Sequence, residues 1–184
     1  MTIVIIIIII ILGIVIIFNW SKWSKKATAD AVLLIINWNK VDKMEMALDK
    51  KMIKINQKIE EWRTPLIMAS MMWKPDIVEL LLKKWAEVDI KDNNWWTALC
   101  YWCASFSLRN TRSWRAHWLW FPRDVSERIV KLLVEHWANP YIKNNNWYTA
   151  LQYLEWAWES GLISFINKYH DNIWNIRKKY GILE

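Results

Sequence analysis

The chain repeats itself, and that constrains its fold more than any other feature. Trp62-Arg63-Thr64-Pro65-Leu66 returns as Trp95-Trp96-Thr97-Ala98-Leu99, a step of 33 residues, and as Trp147-Tyr148-Thr149-Ala150-Leu151, a further step of 52. A second motif moves with it. Ile77-Val78-Glu79-Leu80-Leu81-Leu82-Lys83-Lys84-Trp85-Ala86 reappears 52 residues on as Ile129-Val130-Lys131-Leu132-Leu133-Val134-Glu135-His136-Trp137-Ala138. The longer step exceeds the shorter by 19 residues, and the inserted stretch falls between Phe106 and Pro122. A unit recurring at this period buries its apolar face only by stacking on its neighbours.

Each unit reads as two helices. The Thr hydroxyl at the start of the first can accept from free amides, and Pro65 is tolerated at a position that needs no N–H. Leu66, Ile67 and Ala69 begin one apolar face, and Val78, Leu81 and Leu82 form another. A turn, Thr-Pro-Leu opening a short helix, a second helix reading Ile-Val-x-Leu-Leu-Leu and a small-residue turn resemble the ankyrin repeat. The resemblance covers Ala27 to Leu162. It is specific in two units and weaker in the first (Asp30 to Asn56) and the last (Asn144 to Tyr169), as expected of capping repeats.

The resemblance implies an all-α solenoid of helix-turn-helix repeats with short hairpin turns over residues 29–176. The four units are 29–58, 59–91, 92–143 with the insertion 107–122, and 144–176, followed by a tail at 177–184. It also implies a protein-binding module with no cofactor. Family members bind through turn tips, here Glu61, Arg63, Asn94, Trp96, Asn146 and Tyr148. They also use the concave first helices, here Met68, Met71, Met72, Tyr101 and Cys103. The expected partner is another protein, and a monomer is expected.

One departure from the family is systematic. The chain has 17 Trp and only 3 Gly, where a usual composition would give ~13 Gly. Ankyrin repeats place Gly before x-Thr-Pro-Leu, between the helices, and before the Ala after the second helix. Here those places hold Trp62, Trp95 and Trp147, then Trp73 and Trp158, then Trp85 and Trp137. A side chain in a left-handed turn costs roughly 1–2 kcal/mol, so seven would cost about 7–14 kcal/mol. That rivals the stability of a small domain. The pattern leads us to expect UGA codons that the source reads as glycine and that have been rendered as tryptophan. Asn19-Trp20-Ser21-Lys22-Trp23-Ser24 then becomes a flexible tether, and Asn37-Trp38-Asn39 a helix-end turn. Trp96 is the expected exception, an aromatic that packs beside the turn.

Residues Thr2 to Phe18 carry no charge and are almost wholly Ile, Val and Leu. Such a run reaches ~25 Å as a helix, within the range of real membrane spans. We expect a single-pass anchor at 2–18 and a linker at 19–28, with Lys22, Lys25 and Lys26 holding the body on the cytoplasmic side. The alternative is export after signal cleavage. It suffers from the absence of Lys or Arg before Ile3 and from the distance to Ala27-Thr28-Ala29.

Cys100 and Cys103 form a C-x-x-C pair, which supports an alternative reading as a redox accessory or enzyme. The pair follows Thr97-Ala98-Leu99 on a helix with no strand before it, so a helix-face pair is favoured. His117 and His136 are too far apart for a zinc pair, and no phosphate-binding loop or hydrolase motif is present. The insertion carries Arg109, Arg112, Arg115 and Arg123 without an acid. It is read first as a solvated loop, next as a contact for an acidic protein or anionic lipid, and last as a nucleic-acid site.

Overall fold

The computed structural model describes residues 26, 28–110, 123–157 and 159–179. The apolar run 2–18, the linker through Lys25 and most of the insertion lie outside the described residues. Among the described residues no helix is long and apolar enough to cross a membrane.

The described chain is all helix and turn. A helix over 28–37 (α1) precedes α2 (Val41–Asp49). Then come α3 (Pro65–Met71) and α4 (Pro75–Lys83), α5 (Ala98–Asn110) and α6 (Arg123–Glu135), and α7 (Ala150–Trp156) and α8 (Ser160–Lys179). First helices stack in one layer, α3 on α5 on α7, and second helices in another, α2 on α4 on α6 on α8. One core runs through the stack from Val32 and Ile36 past Leu66, Ile77, Leu81, Leu99, Ile129 and Leu133 to Leu154 and Ile166.

The repeated threonines start the first helices. Thr64, Thr97 and Thr149 each accept the amide three residues on, from Ile67, Cys100 and Gln152, at 3.3 Å. Gln152 Oε1 completes a capping box by accepting the Thr149 amide at 2.8 Å. Second helices are joined on their outer side by ion pairs. Arg128 binds Asp76 at 2.8 Å and also Glu79, Lys83 binds Glu79 at 2.7 Å, and Lys84 binds Asp49 at 2.7 Å and Glu45 at 3.3 Å. Hydrogen bonds from Lys83 and Arg128 hold the Glu79 carboxyl below its usual range.

The helices stop where the family pattern puts glycine. Six tryptophans sit in the left-handed region: Trp62 (φ 64°), Trp73 (57°), Trp85 (67°), Trp95 (61°), Trp137 (76°) and Trp147 (65°). Trp73, Trp85 and Trp137 close helix ends with paired bonds, as in Trp85 N–H to Leu82 carbonyl and Ala86 N–H to Leu81 carbonyl, both 3.0 Å. Trp62, Trp95 and Trp147 instead close tight turns, as in Trp95 N–H to Asp92 carbonyl and Asp92 N–H to Trp96 carbonyl, both 3.1 Å. Trp158 lies outside the described residues. At Asn37-Trp38-Asn39 the left-handed residue is Asn39 (φ 50°), while the Trp38 amide still bonds Leu34 in helical register at 3.1 Å. Asparagine tolerates that conformation, so this turn makes no demand for glycine at position 38.

Two boundaries differ from expectation. The insertion was expected to leave the helix at Ser107, but α5 runs 13 residues to Asn110 where α3 has 7, and Ser107 is buried. No Gly or Pro interrupts Ala98 to Asn110. Phe106 holds the added turn by stacking on Trp102 (5.1 Å between centroids) and Trp73 (6.5 Å). Helix α6 likewise opens at Arg123 and has 13 residues where α4 has 9, so both helices of this pair are lengthened around the insertion. Helix α8 continues to Lys179, past the expected end of the last unit at 176.

Candidate functional site

The turns project from one edge of the stack, and polar side chains tie each to the first helix behind it. Buried Asp92 is the clearest tie. Its Oδ1 accepts the amides of Asn94 (2.8 Å) and Trp96 (2.9 Å), and its Oδ2 accepts the Tyr101 hydroxyl at 2.6 Å. Arg63, from the preceding turn, donates Nε–H to the same hydroxyl at 3.1 Å, lies 3.8 Å from Asp92 and binds Glu61. Burial, then the hydrogen bond to Asp92, pushes the Tyr101 phenol up to about 12, so it stays a neutral donor.

The same device recurs 52 residues on. Asn144 Oδ1 accepts the amides of Asn146 (2.9 Å) and Tyr148 (3.1 Å), and its Nδ2 donates to the Tyr153 hydroxyl at 2.9 Å. Between the two ties runs an aromatic strip. Trp96 lies 4.8 Å from Tyr101 and 5.4 Å from Tyr153, while Tyr148 and Trp156 lie 4.8 Å apart and Trp156 and Tyr153 5.3 Å apart. Such tilted pairs add roughly 0.5–1.5 kcal/mol each beyond burial. Backbone bonds join successive turns: Asn93 N–H to Glu61 carbonyl (3.4 Å) and Asn145 N–H to Asn94 carbonyl (3.0 Å).

Residues 61–93, which span the first of these turns, α3 and α4, match the family model of the ankyrin repeat. This segment is similar to an ankyrin repeat. Among curated proteins, none matches the chain. An ankyrin repeat points to a protein–protein interaction module, a type of domain that is typically non-catalytic.

The expected binding residues of the repeat array fall into two sets. Glu61, Asn94, Asn146 and Tyr148 are exposed, and Arg63, Trp96, Tyr101, Met71 and Met72 are half-buried, so all of these reach the surface. Met68 (3% exposed) and Cys103 (0%) do not, which corrects their assignment to the concave surface. Both belong to the buried core of the stack, in which α3 packs on α5 and α5 on α7. Sequence reasoning missed Asp92, Asn144, Tyr153 and Trp156. Three of them carried a signal: Asp92 and Asn144, like Tyr101 and Tyr153, are separated by the same 52 residues as the repeat.

The thiols of the C-x-x-C pair are both buried and free. Burial pushes Cys100 up to about 12, and burial, then the neighbouring Cys100, raises Cys103 well above its usual value. A redox pair needs an accessible thiolate, which this environment opposes. Among the described residues no group of His, Cys, Asp and Glu is arranged to hold a metal. Of the basic insertion, Arg109 falls in the last turn of α5 and Arg123 opens α6, while Arg112 and Arg115 lie outside the described residues.

Proposed function

We propose that this chain is a membrane-anchored scaffold that recognises another protein along its turn edge and the adjoining first helices. The observation that carries this reading is the joined edge itself. Glu61, Asn94, Asn146 and Tyr148 stand exposed on turns bonded to one another, over a half-buried strip of Trp96, Tyr101 and Tyr153's neighbours. Rigid exposed groups on such a support lose little entropy on binding. A photo-crosslinker at Asn146 should capture a protein partner, whereas one at Lys131 on the outer helix layer should not. Equal capture from both positions would refute the reading.

The anchor at 2–18 and a cytoplasmic, monomeric body belong to the same proposal. Their support is the uncharged length of Thr2–Phe18 and the flanking lysines. Removing residues 1–20 should release the protein from the membrane pellet. Retention of the shortened chain in high salt would refute the anchor.

We also propose that the source organism places glycine at 62, 73, 85, 95, 137 and 147. Support comes from the backbone at these six positions, where φ lies between 57° and 76°. Five of the indoles are half or more exposed, so little packing offsets the strain. Trp96, which is outside that backbone region and packs on two tyrosines, remains tryptophan in this reading. Peptide sequencing of the protein from its source decides the matter. Tryptophan at Trp85 and Trp137 would refute it.

A further inference from the structure

Three lysines occupy the same place in three successive units. Lys58, Lys91 and Lys143 each stand four residues before a left-handed turn residue and are exposed. Their ammonium groups lie 4.4, 5.2 and 5.8 Å from the ring centroids of Trp62, Trp95 and Trp147. The bonds from Asn93 to Glu61 and from Asn145 to Asn94 hold these turns side by side, so the lysines form a row along the edge of the stack.

Three carboxylates near this edge are engaged within the chain. Glu61 pairs with Arg63, and buried Asp92 holds Tyr101 and two amides. Asp89 feels the charge of Lys91, but its oxygens accept the Asn139 amide at 3.0 and 3.3 Å. The outer helix layer contrasts with this, because Lys83, Lys84 and Arg128 there each meet a carboxylate of the chain. Positive charge is therefore neutralised internally on one side of the stack and presented in a periodic row on another.

We propose that this row binds an extended acidic segment of a partner protein, lying across the units with successive carboxylates on Lys58, Lys91 and Lys143. The proposal deepens the scaffold reading and rests on it for the partner being a protein. An extended chain suits a row one charge wide, and the exposed Asn94 and Asn146 amides flank it as donors and acceptors for a peptide backbone. Phosphate recognition favours the forked guanidinium, and the one arginine of these turns, Arg63, is occupied within the chain. Lys58, Lys91 and Lys143 keep their place in the repeat whether the neighbouring turn residues are tryptophan or glycine, although glycine removes their ring contacts.

The test uses the full chain in neutral detergent and a labelled oligoglutamate peptide, followed by fluorescence anisotropy at rising salt. Binding should weaken as salt screens the row. Single Lys58→Gln, Lys91→Gln and Lys143→Gln changes should each cost about 1.5- to 5-fold, the range of exposed ion pairs. The triple variant should lose about 3- to 125-fold by the same rule, while Lys83→Gln on the outer layer should cost nothing. All variants should keep the wild-type helical melt. The proposal is overturned if the triple variant binds oligoglutamate as the wild type does. It is also overturned if the three lysines govern binding to poly(U) RNA or phosphatidylserine vesicles while oligoglutamate does not bind. A chain that still crosslinks a protein through Asn146 but ignores oligoglutamate would sink this proposal and leave the scaffold reading standing. Absence of any protein crosslink would sink the scaffold reading itself.

Discussion

Replacing the five exposed left-handed tryptophans by glycine should stabilise the body. At Trp62, Trp85, Trp95, Trp137 and Trp147 the indoles are 50–88% exposed, so their removal surrenders little buried surface. Relief of the left-handed backbone is worth roughly 1–2 kcal/mol per site, and the greater freedom of glycine in the unfolded chain returns about 0.5–1. Five sites then gain about 2–5 kcal/mol. Losing the lysine contacts at Trp62, Trp95 and Trp147 subtracts about 0.5 kcal/mol each. A net gain of about 1–4 kcal/mol should raise the melting temperature by about 3–15 °C in a chain of this size. Trp73 differs. It is 6% exposed and packs on Trp102 and Phe106, so Trp73→Gly alone should cost more in lost packing than it relieves in strain. Trp96→Gly is the control and should destabilise by about 2–4 kcal/mol, since φ there is ordinary and two aromatic contacts are lost. The assay is thermal and guanidinium unfolding of residues 21–184, followed by helical circular dichroism. A five-site variant no more stable than its parent would refute the argument from backbone strain.

Asn144→Ala should destabilise by about 2–4 kcal/mol, because two turn amides and the Tyr153 hydroxyl lose a buried partner; guanidinium titration measures it. Cys100 and Tyr101 are raised from 9.0 and 10.0 to about 12, so their stabilising influence is complete below pH 9 and is lost as pH climbs to 12. Melting temperature should therefore fall across that window, less steeply in Cys100→Ala. Both thiols should resist a thiol reagent at pH 8 until denaturant is added. Replacing 111–122 with a short Gly-Ser linker should preserve the cooperative melt, whereas extending the deletion back to Ser107 should weaken it, because Ser107 and the turn around Phe106 belong to the packed helix.

The repeat spacing alone determined that helix pairs would stack, which threonines would cap them and where left-handed turns would fall. These are local matters: a hydroxyl three residues from an amide, or a backbone turn one residue long, is written in consecutive letters. The exemption of Trp96 was legible for the same reason, because it stands one place past the turn. Which first-helix residues reach solvent was not legible. Met68 and Tyr101 lie in neighbouring units on one layer, yet the stacking of α3 on α5 encloses the first and leaves the second half open. Period also could not say that α5 would continue to Asn110, since one of the two rings that Phe106 stacks on, Trp73, comes from a different unit. The row of lysines was present in the sequence as a spacing. It became an edge only when backbone bonds between turns set the units side by side, while the outer helices met Lys83, Lys84 and Arg128 with their own carboxylates.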